Sequence, residues 1–180
     1  MMDTCTWDFW ETPKQWQRNA LDLAKEYVDK ILHQDGSNQW FIMCGRPGCG
    51  KTRLCTTVFR SLVEGGIKGF YISWRDFARQ AKSVANDGDK FSQLTSRAKK
   101  SRLIYIDDFW KGKVTAADVH LAFEILNDRY CSGKITILSS EFTLDGIASA
   151  DEAISSRLKE MSRGYYLELS KADNWRTANK

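Results

Sequence analysis

The sequence predicts an α/β fold, a three-layer sandwich in which a five-stranded parallel sheet carries helices on both faces. Five short apolar runs lack the polar alternation of half-exposed strands, so each is predicted to be a strand buried on both sides. Helix-like stretches separate these runs, and strands that alternate with helices form parallel sheets. The chain has 180 residues, 42% of them hydrophobic, which is enough for one domain with its own core.

In the first half of the chain, local patterns predict each element. Apolar residues recur at helical spacing in the first helix, turn-forming residues follow it, and a glycine pair ends the second helix. The predicted elements are, in order, an aromatic N-terminal linker (1–13), a helix (14–32), a strand (39–44), a helix (53–63), a strand (69–73), a helix opened by a capping box at 73–76, and a polar helix that runs from a turn at 87–89 to residue 99.

The second half continues the alternation. The third helical region is predicted to bury one face, formed by Val119, Phe123, Leu126 and Tyr130. The predicted elements are a strand (103–106), a helix (115–130), a strand (135–138), a helix from a capping box at 149–152 to residue 161, and a strand (165–169). We therefore expect one domain over residues 14–180.

A glycine-rich loop follows the first predicted strand and precedes a helix. It fits the Walker A pattern G-x-x-x-x-G-K-[ST], in which backbone N–H groups surround a phosphate and glycines permit positive φ. Lys51 is predicted to reach the β- and γ-phosphates, and the Thr52 hydroxyl to bind Mg²⁺. The predicted contacts of ATP or ADP are Gly45, Arg46, Pro47, Gly48, Cys49, Gly50, Lys51, Thr52 and Arg53.

Two carboxylates end the third predicted strand, and one predicted strand separates them from the glycine-rich loop. Ligands in α/β folds bind at the carboxyl ends of strands, so both acids are expected near the phosphates. Asp107 is suited to hold Mg²⁺ through water, because this ion takes few protein carboxylates. Asp108 is then placed to orient or deprotonate an attacking water. The pair predicts hydrolysis.

Basic residues concentrate between Trp74 and Arg102, although the net charge of the chain is only +4. This segment has eight basic and three acidic residues. Such a segment can follow a nucleic-acid backbone, or it can form the solvated face of a helix, and both readings stay open. The candidate contacts for single-stranded DNA are Arg75, Arg79, Lys82, Arg97, Lys99 and Lys100.

Composition also makes several classes of protein improbable. No apolar run approaches the roughly 20 residues of a membrane span. The N-terminus lacks the basic and apolar regions of a signal peptide, so we expect a cytoplasmic protein without a membrane partner. The five cysteines form no C-x-x-C pair and accompany only two histidines, so no zinc site is expected.

Taken together, these motifs resemble the AAA+ ATPases and, more narrowly, the ATPase domain of DnaC/DnaI-type bacterial and phage helicase loaders. The resemblance extends from the region of Trp7 to Arg176. It implies a P-loop NTPase of the AAA+ (ASCE) type, and no helical lid domain is expected because the sequence ends near the fifth strand. The segments that carry it are 45–52, 106–108, 139–145, 154–157 and 173–176.

The resemblance implies roles for three further residues. Arg157 would be an arginine finger for ATP bound by a neighbouring protomer, so the chain would form a homo-oligomer through the ATP site. The alternative is that Arg157 is a surface arginine near a helix end. Ser140 would be the sensor 1 residue, and a Glu141 side chain pointing at the γ-phosphate would slow hydrolysis. Arg176 would be the sensor 2 arginine or, alternatively, a polar residue of the tail.

Aromatic residues that precede the first helix have two candidate roles. Phe9 and Trp10 could cover the adenine, or they could pack against the first helix as a staple does. Loaders usually carry an N-terminal segment that grips the helicase, and here only residues 1–13 precede the first predicted helix. We therefore expect the helicase-binding part to be absent, or the chain to be an isolated ATPase domain or a shortened phage form.

The function implied by the resemblance is that of an ATP-hydrolysing DNA replication protein. It would load the replicative DNA helicase onto single-stranded DNA, with ATP, ADP and Mg²⁺ as ligands. An IstB-like transposition ATPase is the nearest alternative. A second alternative is a P-loop small-molecule kinase, although the acid pair and Arg157 argue against it. A third alternative is an adaptor that binds ATP without hydrolysing it.

Overall fold

A computed structural model of the protein describes residues 5–7, 10, 14–33 and 39–169. Helices and strands alternate through them. In chain order they are α1 (Gln15–His33), β1 (Phe41–Gly45), α2 (Lys51–Glu64), β2 (Gly69–Ser73), α3 (Trp74–Ser83), α4 (Gly88–Lys100), β3 (Leu103–Phe109), α5 (Ala116–Cys131), β4 (Ile135–Ser140), α6 (Leu144–Ala148), α7 (Glu152–Met161) and β5 (Tyr166–Leu169).

The five strands form one parallel sheet in the order β2-β3-β4-β1-β5. β4 lies between β1 and β3, so the ends of the loop strand and the acid strand flank the end of β4. All strands are parallel, so their carboxyl ends share one edge of the sheet. The predicted fold class, a P-loop α/β sandwich with five parallel strands, is confirmed.

Both faces of the three central strands, β3, β4 and β1, are buried, because consecutive residues of these strands enter different cores, whereas the edge strands β2 and β5 are partly exposed. In the segment leading through β1, Trp40, Ile42 and Cys44 belong to one cluster of buried side chains. Phe41 and Met43 belong to the other, which lies against α1 and α2. Continuous burial explains why these strands read as unbroken apolar runs. Within the described residues, no helix is long and apolar enough to cross a membrane.

Two helix starts differ from the sequence prediction. Ser73 precedes α3 as predicted, but its side chain makes no capping hydrogen bond. The capping box predicted at 149–152 is wrong, because Asp151, not Ser149, accepts from the Ile154 N–H (2.7 Å) and starts α7. Ser149 instead ends α6, a short helix that the sequence analysis missed and that Thr143 caps.

The buried face of α5 also differs from the prediction. Of the four residues assigned to it, only Leu126 is buried, and Phe123 is 37% exposed. The reason is that Arg129 points into the core, where its guanidinium donates to main-chain carbonyls at the end of α4 and the start of β4. The residues that α5 buries are Asp118, Leu121, Ala122, Ile125, Leu126 and Arg129.

Candidate nucleotide site

The glycine-rich loop connects β1 to α2 at the carboxyl edge of the sheet. Gly50 has φ 96° immediately before α2, a left-handed conformation that favours glycine. Gly45 has φ 149°, and a Cβ there would lie 2.8 Å from the main chain of Leu169. The loop therefore needs glycine at 45 because β5 passes beside it, and glycine at 50 because of the backbone turn.

Lys51 is almost fully enclosed by the loop. Its side chain is buried (residue 5% exposed), and Nζ donates to the carbonyls of Gly45 (2.7 Å) and Arg46 (3.0 Å). Its partners within the described chain are these carbonyls and, at 3.9 Å, the Cys49 sulfur. A buried ammonium that faces only neutral groups suits an anionic ligand, so the loop fits a phosphate.

Thr52 and Asp107 meet although 55 positions separate them in sequence. The Thr52 hydroxyl donates to Asp107 Oδ1 at 3.1 Å. A hydroxyl and a carboxylate are hard oxygen ligands, and Mg²⁺ commonly completes its shell with water and phosphate. Across the described residues, no group of three or more His, Cys, Asp or Glu side chains could hold a metal.

Three further hydroxyl groups donate to the Asp107 carboxylate. They come from Tyr105 (2.7 Å), Ser139 (2.5 Å) and Tyr71 (3.3 Å). Burial raises the pKa of the Tyr105 phenol well above its ordinary value, and burial together with Asp107 raises the pKa of Tyr71 to about 12. Both phenols are therefore protonated donors at neutral pH.

These three residues were missed by the sequence analysis, although the sequence held a partial signal for the tyrosines. Tyr105 stands two positions before Asp107, which places both side chains on one face of a strand. Tyr71 pairs with Tyr105 in the β2–β3 register. The position of Ser139 depends on which strand lies beside β3, and sequence patterns do not give that order.

Asp108 lies on a β-bulge in β3. The β3–β4 register runs from Ile106 opposite Leu138 to Phe109 opposite Ser140, so β3 carries one extra residue. Asp108 has φ 53°, and its N–H donates to the Ser139 hydroxyl (3.0 Å). A bulge re-aims a side chain, and here it lets two consecutive carboxylates serve one end of the strand.

A lysine that the sequence analysis did not consider holds the Asp108 carboxylate. Lys111 Nζ lies 3.0 Å from Asp108 Oδ2 and 3.3 Å from Glu141 Oε1. The pKa of Lys111 is raised, chiefly by its hydrogen bond to Asp108. Glu141 is therefore paired with a cation, and its charge is partly offset beside the acid pair.

The structure places Ser139, not Ser140, at the acid pair. The Ser140 hydroxyl is fully buried, donates to the Phe109 carbonyl (2.8 Å) and accepts from the Phe142 N–H (3.1 Å). Ser140 thus joins β4 to β3 through the main chain beyond the bulge. The hydroxyl that contacts the acid pair is therefore that of Ser139, and the assignment of Ser140 as the sensor residue stays a prediction.

Arg157 lies on α7 and is held by α5 of the same chain. Its Nε donates to Asn127 Oδ1 (3.0 Å) and its Nη1 to the Ala153 carbonyl (2.9 Å). The guanidinium lies over the rings of Phe123 (5.0 Å) and Tyr130 (5.5 Å). None of these partners belongs to the glycine-rich loop, so the structure does not bring Arg157 to the phosphate site of its own chain.

The basic segment does not form one continuous surface. Arg75, Arg79 and Lys82 lie on α3, which starts at the carboxyl edge of the sheet, where β2 ends. The other three candidates, Arg97, Lys99 and Lys100, lie at the end of α4, beside the opposite edge, where β3 begins. The two helices therefore place these cations at different edges of the sheet, and their binding of single-stranded DNA stays a prediction.

Several of these cations also have partners. Lys82 pairs with Asp118 (2.7 Å), Arg79 with Asp76 (2.9 Å), and Lys99 with Glu124. Arg97 lies over the ring of Phe70 at 4.2 Å. At the end of α4, two of the three candidate DNA contacts, Arg97 and Lys99, thus contact other residues of the same domain. This favours the interpretation of that segment as the solvated face of a helix.

Two predictions fall on residues outside the described part of the chain. They concern Arg176, the candidate sensor 2 residue, and Phe9, a candidate adenine contact. Trp10 is described, and its ring lies 5.0 Å from the guanidinium of Arg53. This contact sets an aromatic ring beside the first turn of α2.

The glycine-rich loop follows β1, the acid pair ends β3, and β4 lies between these two strands. This arrangement defines the class: the chain is a P-loop ATP-binding protein of the AAA+ fold. It belongs to the family described as IstB-like ATP binding protein, whose model matches residues 6–160.

Known relatives and solved structures agree with this assignment. The phage-like element PBSX protein XkdC of Bacillus subtilis is 31% identical over 163 residues, which cover 86% of this chain and 60% of XkdC. This chain spans about half to three fifths of the curated relatives that it matches.

The fold matches the solved structures of the DnaC helicase loader and of DnaI. The crystal structure of the DnaC helicase loader superposes with a TM-score of 0.80 at 22% identity, covering 93% of this chain and 97% of that one. The crystal structure of DnaI gives 0.76 at 17% identity, covering 93% and 92%. The resemblance to DnaC and DnaI is thus confirmed at the level of the fold.

Proposed function

We propose that this chain hydrolyses ATP and loads a replicative DNA helicase onto single-stranded DNA. The observation that carries hydrolysis is the hydrogen bond from Thr52, the residue after Lys51 in the glycine-rich loop, to Asp107, with Asp108 beside Asp107 on the β-bulge. In the same proposal, residues 14–180 form the ATPase domain and residues 1–13 a linker. The loader role is supported by the fold shared with DnaC and DnaI.

The proposed chemistry assigns each residue one task. Lys51 exchanges the carbonyls of Gly45 and Arg46 for phosphate oxygens, while the loop N–H groups face the same anion. Bound Mg²⁺ would neutralise charge on the phosphate oxygens. Asp108 accepts the proton of the water that attacks the γ-phosphorus, and the bond to the ADP oxygen breaks. Ser139 holds the main chain of Asp108 in place.

Arg157 is proposed to act on a neighbouring protomer. Its contacts with Asn127, Phe123 and Tyr130 fix the side chain on the outer side of α5, away from its own loop. An arginine held in advance loses little freedom when it meets developing negative charge. Assembly through the ATP site would then complete the catalytic set, and single-stranded DNA and the helicase would act on the assembled form.

Hydrolysis is tested by phosphate release and nucleotide binding on the same variants. We expect Lys51→Ala to lose ATP binding, because the loop then lacks its cation. Asp108→Asn should bind ATP and lose turnover. Asp89→Asn, an exposed first-turn acid of α4, serves as the control and should retain both. Turnover that survives Asp108→Asn would remove Asp108 as the base, and an inactive wild type that still binds ATP would favour the ATP-binding adaptor.

The loader role is tested by pull-down against the host replicative helicase and a transposase, each with and without ATP. ATP-dependent capture of the helicase supports the proposal. Capture of the transposase alone supports the IstB-like alternative, which the family description favours. Transfer of the γ-phosphate to small acceptors, without any effect of DNA, would establish the kinase alternative instead.

A further inference from the structure

A groove lies beside the acid pair, between α3 and the loop that joins β3 to α5 (residues 110–115), which we call the 110–115 loop. It encloses about 570 Å³. The loop begins two residues after Asp108, so anything bound in the groove lies next to the proposed catalytic base. The side chains that matter here are Trp74, Arg75, Lys82, Trp110, Lys111 and Lys113.

The groove is strongly basic. Five of its lining residues are basic and one is acidic, Asp118. Lys82 is paired with that acid, and Arg79 with Asp76. Arg75 and Lys113 form no ion pair with any residue that the structure describes. The groove therefore has cationic capacity beyond what its own acid neutralises.

Trp110 forms part of the wall of this groove. It is only 2% exposed, and has a buried Nε1 without a hydrogen-bond acceptor in the part of the chain that the structure describes. Its ring stacks on Phe109 (centroids 4.7 Å apart), and its backbone has φ 57°. A buried N–H without an acceptor is unfavourable. Because this N–H is buried, a ligand in the open groove would be held by the basic side chains instead.

Lys111 connects this groove to the acid pair. It lines the groove, while its ammonium bridges Asp108 Oδ2 and Glu141 Oε1. The side chain of Lys111 is 45% exposed and that of Asp108 33%, so the pair is open to competition from another anion. A carboxylate held by an ammonium is a poorer proton acceptor than a free one.

We propose that the groove binds backbone phosphates of single-stranded nucleic acid, and that a phosphate bound there draws Lys111 away from Asp108. The bound strand thereby frees the base and raises ATP turnover. Trp74 and Trp110 are almost fully buried, so they offer no ring face to bases, and recognition falls on phosphates without base preference. This inference rests on the proposed function only in assigning proton acceptance to Asp108.

The coupling is testable without hydrolysis, because linkage is reciprocal. If a phosphate and Asp108 compete for Lys111, Asp108→Asn should tighten binding of a labelled dT oligonucleotide, measured by fluorescence anisotropy at low salt without nucleotide. The expected gain is roughly two- to five-fold, the range of an exposed ion pair. Lys111→Met should weaken binding by a similar factor and reduce the log–log salt slope by roughly 0.7.

The double variant distinguishes the bridge from general electrostatics. In a Lys111→Met background, Asp108→Asn should leave oligonucleotide affinity unchanged, because no ammonium remains to be released. Lys90→Met is the matched control, since Lys90 forms a similar i,i+3 pair with Asp87 (2.8 Å) on α4, and it should not change affinity. An equal gain from Asp108→Asn with and without Lys111, or full affinity in Lys111→Met, overturns the proposal.

Two further measurements identify the ligand and distinguish a failure of the groove proposal from a failure of the proposed ATP hydrolysis. Inorganic phosphate at the oligonucleotide's phosphate concentration should not displace it; equal displacement would mean an ion site only. If the wild type hydrolyses ATP, the oligonucleotide should stimulate it, whereas Lys111→Met should start from a raised basal rate and gain nothing. Equal stimulation of both overturns the coupling. A wild type without turnover refutes the proposed hydrolysis and leaves the affinity cycle to decide the groove.

Discussion

Tyr105→Phe tests whether buried hydroxyl groups hold Asp107 in place. The phenylalanine ring keeps the packing against Tyr71 (5.3 Å) and Phe59 (6.0 Å). The 2.7 Å hydrogen bond to Asp107 is lost, together with a long contact of the same hydroxyl to the Thr52 carbonyl (3.5 Å). A bond to a charged acceptor contributes about 1.5–3 kcal/mol, and other donors remain on the carboxylate, so we expect a loss of about 1.5 kcal/mol. In a domain of this size that lowers Tm by about 3–6 °C.

The assay is reversible thermal unfolding followed by circular dichroism, with Tyr71→Phe as the control. Tyr71 is partly exposed and its bond to Asp107 is longer (3.3 Å), so water replaces it and we expect a loss below about 0.5 kcal/mol. In an Asp107→Asn background the loss from Tyr105→Phe should shrink, because the charged acceptor is gone. An undiminished loss there, or a larger loss from Tyr71→Phe, would refute the reasoning.

Three shorter predictions concern assembly, the core and alkaline pH. Lys51→Ala and Arg157→Ala proteins, each without turnover alone, should recover part of it when mixed, as phosphate release would show; no recovery would refute action between protomers. Arg129→Met should cost at least about 3 kcal/mol in denaturant unfolding, because several buried carbonyls lose their donor; unchanged stability would mean that burying the charge costs as much as its bonds return. Since the pKa of Tyr71 is raised to about 12, its contribution to stability is complete below pH 10 and is lost as pH rises through about 12; the denaturation midpoint should fall over that range, and less steeply in Tyr71→Phe.

The sequence predicted what is encoded within short stretches. The glycine-rich loop is contiguous, and its chemistry follows from residue types at fixed spacing. The strands were recognisable because burial on both faces demands unbroken apolar runs. The main error in a helix came at α5, where one arginine points inward and rotates the buried face away from Phe123. Periodicity treats arginine as polar and therefore assigns it to the surface.

The parts of the site that were missed depend on neighbours in space. Ser139 reaches Asp107 because β4 lies beside β3 and because a bulge shifts their register. Neither the strand order nor the bulge leaves a local mark in the sequence. The basic segment shows the same limitation, since the partners of Lys82 and Lys99 are Asp118 and Glu124 on α5. A charge count within one segment cannot include acids supplied by another.

The two adjacent carboxylates are restrained very differently, and this difference supports their separate roles. Asp107 accepts from hydroxyl groups of Thr52, Tyr71, Tyr105 and Ser139, which come from α2, β2, β3 and β4. Thr52, Tyr105 and Ser139 donate to Oδ1 and Tyr71 donates to Oδ2, so the carboxylate is fixed from four elements, which suits a ligand whose position must not change. The Asp108 carboxylate is held by a single exposed lysine of the 110–115 loop. A proton acceptor must approach water and then release its proton, so the less restrained carboxylate is the better base. Because both residues are aspartates, their proposed roles differ only through their surroundings.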